Sequence, residues 1–123
     1  MIIIDGVTYD VPVISIARKA EFLDKFAERT EDGILHRELI GVYFNYQLKF
    51  GQSSNNVADY AALWVKLTEA TEFHEVTVPD ESGDFTFQAY FSNVADEFKK
   101  TKGAVNFWKS LTVNFIAQSP AVT

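Results

Sequence analysis

Gly41-Val42-Tyr43-Phe44-Asn45-Tyr46-Gln47-Leu48-Lys49-Phe50-Gly51 is the stretch whose periodicity decides the fold. Val42, Phe44, Tyr46, Leu48 and Phe50 alternate with Tyr43, Asn45, Gln47 and Lys49. Side chains on a strand repeat every two residues, so this reads as a strand with one face on a core and the other on polar surroundings. The pattern runs back through Ile40 and Glu38, long enough for the central strand of a sheet.

Outward toward the C-terminus, Gln52-Ser53-Ser54-Asn55-Asn56 is a polar connector, with Asn56 an N-cap and Asp59 near the positive end of the helix dipole. Val57, Tyr60, Ala61, Trp64 and Leu67 recur at helical spacing with Leu63 beside them. A helix over about residues 56–70 follows, its apolar stripe against the sheet and Trp64 in the core. Residues 73–78 read as a strand stopped by Pro79, and residues 80–84 as a hairpin loop. Phe85, Phe87, Ala89 and Phe91 alternate with Thr86, Gln88, Tyr90 and Ser92 as a second half-buried strand. Residues 92–103 read as a connector with a helical turn around Val94, Ala95 and Phe98. The last strand covers residues 105–118, with Val105, Phe107, Leu111, Val113 and Phe115 on one face and Trp108 on the other.

Toward the N-terminus, Asp5-Gly6 between Ile2-Ile3-Ile4 and Val7-Thr8-Tyr9 predicts a hairpin with a type I′ turn. Pro12 marks the start or edge of a further strand, with Ile14 and Ile16 facing in. Residues 18–33 carry nine charges of both signs around Phe22, Leu23 and Phe26. Sixteen residues of plain loop are uncommon in a compact domain. Two readings stand: a short helix packed on its own domain, or an arm that docks on a neighbouring subunit. Glu31-Asp32-Gly33 is the turn that closes the segment.

A chain of 123 residues is a single domain by length, and at this size its core needs no staples. Eleven Phe, five Tyr and two Trp favour strands over a helical bundle. The absence of cysteine removes disulfides, thiolate zinc sites and Cys nucleophiles. A net charge of −6 offers no basic surface for phosphates, so specific nucleic-acid binding is not expected. No apolar run reaches the ~18 residues of a membrane span, and the apolar start at Met1 lacks the basic leader of a signal peptide.

Chemistry is hard to find. His36 sits beside Arg37 and Glu38 at a surface, and His74 with Glu72 or Glu75 falls short of the ligands a zinc site needs. Asp80, Glu81 and Asp84 lack the ligand spacing of a calcium loop. The glycines stand singly, with no phosphate loop, and no serine lies in a nucleophile elbow. The expectation is a protein that is not an enzyme and has no cofactor or metal.

Four segments carry a resemblance. They are Ile3-Ile4-Asp5-Gly6-Val7-Thr8-Tyr9, Ala27-Glu28-Arg29-Thr30-Glu31-Asp32-Gly33, Glu72-Phe73-His74-Glu75-Val76-Thr77-Val78-Pro79 and Phe107-Trp108-Lys109-Ser110-Leu111-Thr112-Val113-Asn114-Phe115-Ile116-Ala117. In this order the chain resembles small structural proteins of prophage tail modules in low-GC Gram-positive bacteria. The resemblance implies an α+β fold, mainly an antiparallel β-sandwich or barrel with one packed helix, of the tail-tube type. It implies a virion structural protein of the tail tube or distal tail, made in the host cytoplasm. Its implied partners are other tail proteins and copies of itself in a ring, commonly a hexamer. Phe22, Leu23, Phe26 and Arg29 of the charged segment, with the aromatics Tyr43, Tyr90 and Trp108, form the expected subunit interface. The alternative is a monomeric binding module, for glycans for instance, in which Tyr43, Tyr90 and Trp108 make the platform.

Overall fold

A computed structural model describes residues 2–31, 33–51, 57–81 and 83–122. The elements in chain order are β1 (Ile2–Ile4), β2 (Val7–Tyr9), β3 (Val13–Arg29), β4 (Leu35–Phe50), α1 (Val57–Leu67), β5 (His74–Asp80), β6 (Gly83–Lys102) and β7 (Val105–Ala117). The strands form one antiparallel sheet in the order β2-β1-β5-β6-β7-β4-β3, which does not close. The architecture is α+β, mainly antiparallel and barrel-like, with one packed helix. The connector of residues 52–56, with its N-cap Asn56, lies outside the described residues.

The stretch from Gly41 to Gly51 behaves as its alternation requires. Val42, Tyr46, Leu48 and Phe50 are buried and Phe44 packs against the same core. Leu111, Val113 and Phe115 of β7, Val76 and Val78 of β5, and Ile2 and Ile4 of β1 share that face. Helix α1 adds Tyr60, Leu63 and Leu67. The reverse face is polar, with Thr77 and Thr86 hydrogen-bonded at 2.8 Å and Asn45 accepting the Ala117 N–H at 2.9 Å.

The sheet curls toward its apolar face. β4 and β6 are not neighbours in the sheet, yet the rings of Tyr46 and Phe87 approach to 5.4 Å. Arg18 on the edge strand β3 reaches Glu81 in the β5–β6 turn at 2.7 Å. Side chains thus bridge a gap that no backbone ladder spans.

Asp5 and Gly6 both adopt positive φ, 51° and 80°, as the type I′ turn demands. The C-terminal segment folds back on β4: Val42 N–H donates to the Val122 carbonyl and Ala121 N–H to the Val42 carbonyl, each at 2.8 Å. It passes so close to Gly41 that a Cβ there would lie 2.6 Å from Pro120 Cβ.

Several expectations are corrected. The described residues of 18–33 hold no helix; β3 runs through them to Arg29, paired with β4 across two register shifts. Residues 92–103 are not a connector, because β6 continues to Lys102. α1 ends at Leu67, short of residue 70. β5 runs through Pro79, because the β1 pairing reaches only Thr77 and leaves Pro79 with no partner on that side among the described residues. Ile14 is 61% exposed. The register shifts between Val13 and Ser15, so Ile14 is the unpaired residue of a bulge. Val13 packs on the core in its place, and Ile16 faces in as expected.

Candidate functional site: two ribbons and an aromatic cleft

Two β-hairpins outrun the sheet. β7 pairs with β4 only over residues 46–50, so β3 and β4 continue beyond it as a two-stranded ribbon, residues 20–42. β6 and β7 likewise continue past Leu111 as a second ribbon, residues 93–110. Tyr46 pairs with Phe115 and Phe50 with Leu111. Ribbon one therefore departs past the C-terminal end of β7, and ribbon two past the C-terminal end of β4. They leave the sheet at opposite ends.

Ribbon one has strand pairing but little burial. Phe22 is 58% exposed, and Leu23, Ile34, Leu35, Leu39 and Ile40 are exposed with it. Adjacent strand residues point to opposite faces, so the Phe22-Leu23 pair puts apolar groups on both sides, while Ile40, beside Leu39, is the unpaired residue of a bulge. The Arg37 guanidinium pairs with Asp24 and lies 5.4 Å from the centre of the Phe22 ring. At the tip, Gly33 takes φ 81° and Arg29 donates to its carbonyl at 2.6 Å.

Ribbon two is turned by its bulges. Asn93 and Ser110 have φ of 54° and 56°, and the register slips by one residue at each. A slip of one exchanges the faces of all following side chains. Asp96, Phe98 and Trp108 thereby swing to the side of α1. The rings of Phe98 and Trp108 meet edge to face at 5.4 Å.

Between α1 and this ribbon lies a cleft of about 370 Å³, lined by Tyr60, Trp64 and Val65 of the helix and by Asp96, Asn106 and Trp108 of the strands, among others. Tyr60 donates its hydroxyl to Asp96 Oδ2 at 3.0 Å. Burial, and then that carboxylate, push the Tyr60 phenol well above the ordinary tyrosine range. The cleft is apolar with one carboxylate and one amide at its rim.

The expected interface residues divide among these parts. Phe22, Leu23 and Arg29 lie together on ribbon one, with Tyr43 at its root, half-buried opposite Glu21. Phe26 lies on the same strand, and its side chain is outside the described residues. Tyr90 is exposed on the convex face of the sheet, its ring 6.3 Å from Phe73. Trp108 is on ribbon two, facing the helix. Tyr43, Tyr90 and Trp108 do not form one platform, because the Ser110 bulge puts Trp108 on the other face. Sequence reasoning passed over Leu39, Ile40, Phe98 and Asp96. The adjacent Leu39-Ile40 pair, which breaks the alternation of β4, was the available signal.

The titratable cluster of the molecule lies elsewhere. His74 is 2% exposed, stacks on Phe91 at 4.8 Å, and meets Asp5 Oδ2 through Nδ1 at 2.6 Å. Its Nε2 is buried with no partner among the described residues. The His74 hydrogen bond, outweighing burial and helped by the Glu75 N–H, holds the Asp5 carboxyl below its ordinary range. Lys66 of α1 stands 3.7 Å from Asp5 and 3.2 Å from Glu69. The cluster ties the β1–β2 turn to β5 and to the end of the helix. Among the described residues no group of three or more His, Asp or Glu could hold a metal ion, and Glu81 of the acidic loop is engaged by Arg18. His36 has its side chain outside the described residues.

No protein-family model, no curated protein and no solved structure matches the chain.

Proposed function

We propose that the protein is a non-enzymatic structural component of a phage or prophage tail, at the tube or its distal end, that assembles with copies of itself into a ring. The single observation that carries assembly is the pair of long ribbons with exposed apolar side chains. An isolated two-stranded ribbon is marginal in water and gains its stability by packing on something else. A clustered apolar surface of this kind is what an interface looks like before it is covered. The tail itself rests on the resemblance of the four sequence segments. Partners are then copies of the chain and other tail proteins, with the virion tail as the location. A net charge of −6 suits a conduit through which DNA slides without binding.

Light scattering coupled to size exclusion, over a wide concentration range and at two salt levels, tests this reading. A discrete closed oligomer is expected. A monomer at every concentration would refute self-assembly.

The aromatic cleft favours a second reading, a monomeric module that binds a glycan between α1 and ribbon two. Rings beside a carboxylate and an amide suit a sugar's apolar face and hydroxyls. In that case Trp108→Ala abolishes glycan binding by the monomer, while Tyr43→Ala and Tyr90→Ala leave it intact.

A further inference from the structure

We infer that ribbon one of each subunit docks against the cleft between α1 and ribbon two of the next copy. The inference rests on the self-assembly reading above and names the two surfaces that meet. Three observations carry it.

The first is placement. The two surfaces stand at opposite ends of the sheet, so one subunit cannot satisfy its own pair. A contact between unlike surfaces repeats head to tail and closes into a ring if its rotation allows.

The second is apolar complementarity. Ribbon one is a thin element with Phe22, Leu23, Leu39 and Ile40 exposed. The receiving side is concave and apolar, and two of its lining groups are open, Val65 at 65% and Trp108 at 39%, with Phe98, 51% exposed, against the Trp108 ring.

The third is charge. Residues 20–42 hold six acidic residues against three basic ones. Residues 93–110 hold Lys99, Lys100, Lys102 and Lys109 against Asp96 and Glu97. The chain is acidic overall, so a net positive ribbon is a local departure from it. An acidic ribbon meeting a basic one steers encounter and sets register, whereas two copies of ribbon one would repel.

The test uses the full chain with surface variants at each end. Phe22→Ser/Leu23→Ser disables the ribbon and Trp108→Ser disables the cleft. Unfolding midpoints close to wild type check that each variant is folded. Alone, each is expected to be monomeric at concentrations where the wild type assembles. Mixed in equal amounts, they are expected to give a one-to-one heterodimer and nothing larger, because only one intact pair of surfaces remains.

Charge reversal supplies a second set. Glu28→Lys/Glu38→Lys and Lys100→Glu/Lys102→Glu should each weaken assembly by about tenfold or more at low salt. Mixing these two variants should restore it, since every ribbon one then meets a ribbon two of opposite sign. If the wild type assembles and the Trp108→Ser variant assembles equally well, the docking is wrong and the ring reading survives. A mixture of the reversed variants that fails to recover has the same meaning. A wild type that stays monomeric throughout overturns both.

Discussion

Replacing Gly41 by alanine sets the C-terminal segment against the sheet. Gly41 does not have a positive φ, so the backbone there accepts alanine and the conflict is purely steric. The new Cβ would lie 2.6 and 2.8 Å from Pro120 Cβ and Cγ and 2.9 Å from the Val122 carbonyl oxygen. Ordinary van der Waals contacts between carbon atoms lie near 3.5–4.0 Å. Two of the three neighbours belong to a proline ring, which cannot rotate away. The segment is held by two 2.8 Å backbone hydrogen bonds to Val42 and by its cover over that buried side chain. Each hydrogen bond contributes about 1 kcal/mol net, and partly uncovering Val42 costs about 1 kcal/mol more. These contributions are small and local, so the overlap should release the segment while β4 stays in place. We expect hydrogen exchange at the Val42, Ala121 and Val122 amides to rise by about tenfold or more, equivalent to ~1.4 kcal/mol. The loss of global stability should stay near 1 kcal/mol, a fall of roughly 4 °C in Tm. A Gly41→Ala protein that keeps these amides protected would refute the packing argument. A loss of several kcal/mol would show that the segment is integral to the core.

Three further outcomes follow from the core and the charged cluster. Leu63→Ala, at a fully buried helix position, should lower stability by about 2–5 kcal/mol in urea unfolding; a loss under ~1 kcal/mol would mean that α1 is not seated on the sheet. Asp5 has a folded-state pKa below its ordinary value of 3.8, so its contribution is present above that value and is lost as pH falls through the folded one. Below about pH 4 the wild type should therefore lose stability relative to Asp5→Asn, and parallel pH profiles for the two proteins would contradict the His74 pairing. Tyr60→Phe keeps the ring and removes the donor to Asp96, which should cost about 0.5–1.5 kcal/mol, and ultraviolet difference titration of the two proteins should show the Tyr60 phenol ionising above the ordinary tyrosine range.

What was legible in the sequence is what packs on the core. β4 and α1 have one buried face each, so the periods of two and 3.6 residues stand out at residues 42–50 and 57–67. The ribbons lack that constraint. With both faces of ribbon one exposed, Phe22 beside Leu23 and Leu39 beside Ile40 cost nothing in burial, and the alternation that marks a strand disappears. Charges of both signs then made residues 18–33 look helical or irregular. Residues 92–103 were misread for a different reason, since the shifts at Asn93 and Ser110 invert the pattern midway. The same inversion hid the cleft. Simple alternation puts Trp108 on the polar face, and only a left-handed residue at position 110, which serine does not announce, brings it to Trp64. His74 was visible as a polar residue at an inward position, but its partner Asp5 is brought to it by the β1–β5 pairing, 69 residues away in the chain.

The strand order also fixes when this molecule can exist. β7, the last of these seven strands to be synthesised, lies between β6 and β4 and joins two otherwise separate parts: the β3–β4 hairpin on one side and β2-β1-β5-β6 on the other. Ile3 waits for Thr77, and Tyr46 for Phe115. A nascent chain on the ribosome can form its local hairpins but not a continuous sheet until residue 117 has emerged. Folding is then dominated by contacts distant in sequence, which places it among the slower topologies. Chains interrupted before residue 105 would present two unjoined half-sheets with open edges, substrates for chaperones and proteases.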